Sequence, residues 1–173
     1  MSLLRLATWN VHGCVGADGV ENPERIASVI RGLDPDIIGL QEMREGALPR
    51  IAELTGLHAI AGVTRPEFRF GNALLTRHAL VQDAGAPVLA VMGDVNEWRP
   101  FVRTLHRLNT HLGPSRGVRS FPSYLPVFRL DRVWVSPHQS LLEVRAWKGR
   151  GVWRASDHLP VTALVELKPR PQP

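Results

Sequence analysis

Six side chains that end in carboxyl or amide groups stand at the ends of short apolar stretches of this sequence. They are Asn10, Glu42, Asp94, Asn96, Asp131 and Asp157. If those stretches are strands of a sheet, their ends converge on one cleft. Hard cations such as Mg²⁺ take oxygen ligands, usually one or two carboxylates together with water and substrate phosphate. The set therefore predicts a divalent-metal site suited to phosphate-ester chemistry.

A candidate general base lies beside this set, because His158 directly follows Asp157. Hydrolysis of a phosphate ester requires neutralised phosphate oxygens, an aligned water molecule and a group that removes its proton. An imidazole held by a carboxylate can take that proton near neutral pH. Ser156-Asp157-His158 also suggests a serine-hydrolase triad, a turn or a helix cap, so these three residues alone do not settle the chemistry.

Apolar strands alternate with amphipathic helices along the chain. Asn22-Pro23 is typical of a helix start, with Asn as the N-cap and Pro at the first helical position. Strands are predicted at 3–11, 37–40, 58–62, 72–76, 87–92, 131–135 and 159–167, and two further helices at 48–54 and 101–112. This order favours layered sheets with helices outside, in one domain over residues 1–168 with a disordered Pro-rich tail at 169–173.

Composition limits the class of partner. The net charge is +5, the isoelectric point is about 10.6, and nearly all the positive charge is arginine, which suits anionic partners such as nucleic acid, phospholipid headgroups or phosphorylated metabolites. Cys14 is the only cysteine, which excludes an internal disulfide and a cysteine zinc site. No apolar run is long enough to span a membrane, and we expect a cytoplasmic protein.

Six segments, taken in order, resemble motifs of the endonuclease/exonuclease/phosphatase superfamily, which has the DNase I-like fold. They are Thr8-Trp9-Asn10-Val11-His12-Gly13, Asp36-Ile37-Ile38-Gly39-Leu40-Gln41-Glu42, Gly71-Asn72-Ala73-Leu74-Leu75-Thr76, Gly93-Asp94-Val95-Asn96, Leu130-Asp131-Arg132-Val133-Trp134-Val135 and Ser156-Asp157-His158-Leu159-Pro160-Val161. The resemblance implies an α/β (α+β) protein built as a four-layer α/β/β/α sandwich.

The resemblance also implies a role for each site residue. Glu42 is the expected main ligand of a Mg²⁺ or Mn²⁺ ion, with Asn10 beside it and Asp157 completing the metal side. The remaining residues are catalytic by the same resemblance. Asp94 and Asn96 orient the attacking water and the phosphate, and Asp131 fixes the tautomer of His158, which acts as the base or contacts the phosphate. The role of His12, which is also in the first motif, is less certain, because packing beside the other residues of that motif would account for it.

The chain departs from the family in its middle. Only residues 77–86 separate the strand at 72–76 from the next predicted strand, which indicates an internal deletion between Leu80 and Pro87. Two strands, a helix and a core histidine of the family then have no counterpart. Thr110-His111-Leu112 spells the missing motif, but in a segment with helical periodicity, so we interpret His111 as a surface residue. Lost strands would expose sheet edges, which predicts a homodimer or an unstable protein.

The leading functional hypothesis is a phosphodiesterase of the endonuclease or exonuclease type, with nucleic acid slightly favoured as substrate and a phospholipid or inositol phosphate as the alternative. A second hypothesis is a non-catalytic phosphate- or nucleic-acid-binding module, and a third is a partner-binding remnant without activity. Five aromatic residues after the fourth motif could line a substrate rim or pack in the core: Trp98, Phe101, Phe121, Tyr124 and Phe128.

Overall fold

The computed structural model describes residues 2–62, 70–79, 88–98 and 103–167. Its strands are β1 (Ser2–Asn10), β2 (Ile37–Arg44), β3 (His58–Ala61), β4 (Phe70–Thr76), β5 (Leu89–Asp94), β6 (Arg116–Gly117), β7 (Asp131–Ser136), β8 (Leu141–Ala146) and β9 (Val161–Leu167). Its α-helices are α1 (Pro23–Leu33), α2 (Leu48–Thr55), α3 (Arg103–Leu112) and α4 (Val152–Ala155).

The larger sheet has the strand order β3-β4-β2-β1-β9-β8. Its central strands β1 and β2 are parallel, and Asn10 lies opposite Gln41 at their carboxyl ends. The other pairs of this sheet are antiparallel. Because parallel strands end at the same edge, Asn10 and Glu42 are brought to one rim of the sheet.

The smaller sheet has the order β5-β7-β6 and is antiparallel. Asp94 and Asp131 are direct partners at one end of its β5–β7 ladder. The two sheets enclose a buried apolar cluster that includes Leu6 and Val161 from the larger sheet and Val133 from the smaller one. This packing brings the carboxylates of β5 and β7 toward the rim formed by β1 and β2.

Helices cover the outer faces of both sheets. Ile26 and Ile30 of α1 are buried in a second apolar cluster with Trp9 and Leu40 of the larger sheet. On the other side, α3 packs on β7, where the Trp134 Nε1 donates a 2.9 Å hydrogen bond to Asn109 Oδ1. The layers are therefore α/β/β/α, as the sequence predicted.

Local sequence explains the start and the end of α1. The Asn22 side chain accepts a 3.0 Å hydrogen bond from Arg25 N, and Pro23 occupies the first turn, where its missing N–H costs nothing. Asp34 ends the helix in the left-handed conformation at φ +48°. The predicted start at Asn22-Pro23 is the observed one.

The smaller sheet has three described strands, whereas the larger sheet has six. The predicted deletion falls on residues 80–87, and the predicted tail on 169–173, both outside the described residues. Among the described strands, β5 is at the end of its sheet. The homodimer through such an edge stays a prediction. No helix within the described ranges is long and apolar enough to cross a membrane.

Candidate active site

Asn10 connects the two sheets at the cleft. Its side-chain amide donates hydrogen bonds to Glu42 Oε1 at 2.8 Å and to Asp94 Oδ2 at 3.0 Å. Its Oδ1 accepts a 3.0 Å hydrogen bond from the backbone nitrogen of His12. Asn10 is buried, so these bonds replace water that its amide group would otherwise bind. The predicted residues of β1, β2 and β5 therefore meet at one point.

Glu42 has a backbone conformation that is unusual for its residue type. Its φ is +51°, and the β2–β4 register shifts between Leu40 and Met43, which marks a bulge. A bulge re-aims the side chain that carries it, and non-glycine residues in the left-handed region are uncommon. The consequence here is that the Glu42 carboxylate faces the cleft beside Asn10.

His158 is held by a buried carboxylate. Its Nδ1 is hydrogen-bonded to Asp131 Oδ2 at 2.9 Å, and both side chains are almost fully buried. The Ser120 hydroxyl donates a 2.5 Å hydrogen bond to the same oxygen. The other ring nitrogen, Nε2, lies 3.8 Å from Asp94 Oδ2. Asp131 thus fixes the ring so that Nε2 points at the cleft.

The pKa of His158 is raised above its ordinary value of 6.5. Burial alone would lower this pKa, but the hydrogen bond that His158 donates to Asp131 and the charges of Asp131, Asp94 and Asp157 outweigh burial. Three carboxylates around one imidazole therefore favour its protonated form, which is the form the ring takes after accepting a proton.

The loop that carries His158 is attached to the end of β1. The Ser156 hydroxyl donates a 2.7 Å hydrogen bond to the Asn10 carbonyl, and Trp9 Nε1 donates one of 2.9 Å to the His158 carbonyl. A Ser156 hydroxyl used in this way is not placed as a nucleophile. Gly113–Gly117 fits the Gly-x-Ser-x-Gly pattern of serine hydrolases, but it follows α3 instead of joining a strand to a helix.

Asn96 lies at the rim of the cleft. Its backbone nitrogen donates a 2.7 Å hydrogen bond to Asp94 Oδ1, and its side-chain oxygen accepts one of 3.0 Å from Trp98 Nε1. Its exposed side chain is therefore engaged with an aromatic ring, and its predicted contact with phosphate or water stays a prediction.

The residues predicted to hold a metal suit Mg²⁺ or Mn²⁺. Glu42 Oε2 and Asp157 Oδ2 each lie 3.7 Å from His12 Nδ1, so two half-exposed carboxylates face one point. Mg²⁺ is commonly bound by one or two carboxylates, with water and phosphate filling the other positions. Within the described ranges, no three His, Cys, Asp or Glu side chains form a metal cage on their own. The Asn10 amide nitrogen faces Glu42, so a ligand role for Asn10 stays a prediction.

Two residues of the cleft carried little signal in the sequence. Ser120 lies in an irregular loop, and only the fold places its hydroxyl on Asp131. His12 lies between Glu42 and Asp157, although the sequence assigned this residue of the first motif no definite role. His111 is exposed in the last turn of α3. Among the predicted rim aromatics, Phe101 lies outside the described residues.

This sequence is similar to those of known proteins. Residues 7–158 match the model of the "Endonuclease/Exonuclease/phosphatase family". YbhP, an uncharacterised protein of Escherichia coli strain K12, is 34% identical over 95 residues, which are 48% of this chain. The match spans about a third (34%) of the length of YbhP.

Three solved structures share the fold at low identity. An endonuclease/exonuclease/phosphatase from Beutenbergia cavernae has a TM-score of 0.69 at 19% identity, with 95% of this chain and 72% of that chain covered. A mannosyl-6-phosphatase from Bacteroides thetaiotaomicron has a TM-score of 0.71 at 16% identity, with 94% of this chain and 100% of that chain covered. An AP endonuclease from Archaeoglobus fulgidus gives 0.62 at 16% identity, with coverage of 95% and 100%. Since the family model matches most of its length, this chain belongs to the endonuclease/exonuclease/phosphatase family.

Proposed function

We propose that this protein is a Mg²⁺- or Mn²⁺-dependent phosphodiesterase. One observation carries the proposal: the Asp131–His158 pair and the Asn10–Glu42–Asp94 hydrogen-bond cluster meet in a single cleft, where His158 Nε2 lies 3.8 Å from Asp94. A positioned base beside a carboxylate pair suits the attack of water on a phosphate ester. Family members are phosphoester hydrolases, and they generally use divalent metals.

Each side chain has a defined task in this proposal. A bound cation would neutralise charge on the phosphate oxygens, with Glu42 and Asp157 as its protein ligands. His158 removes a proton from the attacking water through Nε2, because Asp131 occupies Nδ1. Asp94 faces Nε2 and orients that water. Asn10 fixes the relative position of the Glu42 and Asp94 carboxylates by donating a hydrogen bond to each.

The site specifies the reaction more closely than it specifies the substrate. The similar structures include a mannosyl-6-phosphatase and an AP endonuclease, and both are less than 25% identical to this chain, so they support the fold alone. The net charge of +5 suits a polyanion or an anionic surface. We therefore propose a phosphodiester substrate, either nucleic acid or a phospholipid headgroup.

The test is hydrolysis of bis(p-nitrophenyl) phosphate and of plasmid DNA with Mg²⁺, with Mn²⁺ and with EDTA. We expect metal-dependent turnover that falls about 10²-fold or more in His158→Ala and is lost in Glu42→Ala. His111→Ala and Glu53→Ala are matched controls, since both side chains are exposed on helices, and they should retain full activity. A folded protein that binds Mn²⁺ but hydrolyses neither substrate would instead support the non-catalytic phosphate-binding module.

A further inference from the structure

An exposed apolar surface borders the cleft. We name it the apolar rim, and its six members are Trp98, Tyr124, Leu125, Val127, Phe128 and Trp153. Tyr124 is 77% exposed and Leu125 is 63% exposed. Contiguous exposed apolar patches are rare on monomeric proteins and mark interaction sites.

One end of the rim is joined to the catalytic residues. The Trp98 ring packs edge-on at 5.0 Å from Phe128 and 5.5 Å from Phe121, and Phe121 lies 4.8 Å from the His158 ring. On the other side, Tyr124 and Trp153 line one cavity of about 450 Å³. A ligand that covers the rim therefore lies against the mouth of the cleft.

Backbone hydrogen bonds hold the rim loop in place. Ser123 N donates to the Asp157 carbonyl at 2.6 Å, and the Ser123 hydroxyl donates to the Ser156 carbonyl at 2.7 Å. Val127 N donates to the Phe121 carbonyl at 2.9 Å. The outward side chains of the loop contribute to none of these bonds, so they can be replaced without removing them.

The two segments that carry most of the rim are strongly basic. Residues 119–130 and 145–156 contain six cationic residues and no acidic one. The six are Arg119, Arg129, Arg145, Lys148, Arg150 and Arg154, and all six are exposed. Two of them lie at the rim itself: Lys148 lines the cavity of Tyr124 and Trp153, and the Arg154 guanidinium lies 4.7 Å from the centre of the Trp153 ring. Arg145 is instead paired with Glu143. Cations beside an apolar tip are complementary to a surface that is anionic outside and apolar beneath.

We propose that the apolar rim docks this protein on an anionic lipid bilayer. Leu125 and Val127 are the features that favour a bilayer over nucleic acid, because aliphatic side chains gain from hydrocarbon but cannot stack on bases as aromatic rings do. Tyr and Trp side chains suit the headgroup level, and Lys148 and Arg154 beside them suit lipid phosphates. Resting on the proposed function, docking would present the phosphate ester of a lipid headgroup to the cleft.

The test is binding of the whole protein, in EDTA, to vesicles of phosphatidylcholine with phosphatidylglycerol and to vesicles of phosphatidylcholine alone. We expect binding to the anionic vesicles only, weakened by salt, with a blue shift of tryptophan emission. Leu125→Ser with Val127→Ser should weaken the partition coefficient about tenfold, and Lys148→Gln about fivefold.

Two matched variants act as controls. Leu3 is 57% exposed at the start of β1, seven residues and about 23 Å along the strand from the Asn10 end. Leu3→Ser removes similar apolar surface away from the cleft, and Arg50→Gln removes one charge from α2. Both should bind as the wild type does.

No binding to anionic vesicles by folded protein would overturn the proposal. So would equal weakening by Leu3→Ser, or rim-dependent binding of single-stranded DNA without any binding to vesicles. Hydrolysis of bis(p-nitrophenyl) phosphate, a soluble substrate, should be unchanged in Leu125→Ser with Val127→Ser. Loss of vesicle binding with this activity intact would show that the rim acts separately from the catalytic site. If the proposed function were wrong, the protein would hydrolyse no phosphodiester, but it would still bind the vesicles.

Discussion

Replacing Asp131 by Asn tests the arrangement of the catalytic base directly. Asp131 Oδ2 accepts hydrogen bonds from His158 at 2.9 Å and from Ser120 at 2.5 Å, in a fully buried position. An amide can accept both only if its oxygen occupies the Oδ2 position. Its NH₂ group then takes the place of Oδ1, which is buried and has no hydrogen-bond partner among the described residues.

The expected losses of stability and of kcat follow from these hydrogen bonds. A buried donor without a partner costs about 1–3 kcal/mol of the free energy of unfolding. If the amide turns the other way, its NH₂ group faces Nδ1 of His158. Two donors cannot share a hydrogen bond, so the ring no longer keeps the tautomer with its proton on Nδ1. In the first orientation the imidazolium that forms loses the charge that stabilises it, and in the second the base is misplaced. Either loss should lower kcat by about 10²–10⁴-fold, while KM changes little because Asp131 is shielded from substrate.

The pH profile gives an independent readout. His158 must be neutral to accept a proton, so activity rises with pH through its pKa. In the wild type that pKa is raised, with Asp131 contributing both a hydrogen bond and a charge. Asp131→Asn removes that charge, while burial and the charges of Asp94 and Asp157 remain. The pKa of His158 should therefore fall, and the acidic limb of the pH profile should move to lower pH.

The assay is kcat and kcat/KM for bis(p-nitrophenyl) phosphate across pH, with thermal unfolding measured in parallel. Ser120→Ala is the matched control. It removes one hydrogen bond from the same oxygen but keeps the charge, and should cost about fivefold or less in kcat. If Asp131→Asn retained kcat within about threefold of wild type, or kept its acidic limb unmoved, the proposed role of the Asp131–His158 pair would be wrong.

Three further predictions concern stability. Because Glu42 has φ +51°, Glu42→Gly should be about 1 kcal/mol more stable in urea than Glu42→Ala, and equal stability would argue against the strained backbone. Burial raises the pKa of Cys14 from 9.0 to about 12, so the fold favours the neutral thiol. Stability that is complete below pH 9.0 should fall above it, by about 1 kcal/mol per pH unit, and Tm against pH should lack this slope in Cys14→Ala. A Cβ at Gly16 would stand 2.0 Å from the Arg154 carbonyl oxygen, whereas one at Gly46 would meet nothing within 4 Å. Urea unfolding should therefore show a loss of about 1–3 kcal/mol for Gly16→Ala and under about 0.5 kcal/mol for Gly46→Ala.

Much of the fold follows from local signals in the sequence. Asn22-Pro23 gives the start of α1, and Gly56 ends α2 in the left-handed conformation that glycine adopts without strain. The apolar stretches that precede Asn10 and Asp94 are strands, and their ends converge as expected. These features depend on a few adjacent residues, which is why a single sequence can indicate them.

Other features depend on tertiary partners and were not predictable in this way. β8 (Leu141–Ala146) was missed, since its pairing with β9 shifts register between Leu141 and Glu143 and interrupts the alternation of apolar residues. Ser120 reaches Asp131 because its backbone is fixed by Phe128 and Leu159, residues that the chain brings back from either side of β7. No local pattern in the sequence marks either of them.

Backbone strain is the property of the cleft that residue types do not reveal. Of the non-glycine residues described with positive φ, Asp34 ends a helix, and the other four belong to segments that form the cleft: His12, Cys14, Glu42 and Asn96. Such conformations cost on the order of 1 kcal/mol or more each and persist only where the surroundings enforce them. Asn10 supplies much of that enforcement, since its side chain contacts His12, Glu42 and Asp94 together. Because one buried amide holds two strained residues, His12 and Glu42, together with Asp94 of the smaller sheet, the position of the carboxylates and the stability of the cleft depend on the same side chain.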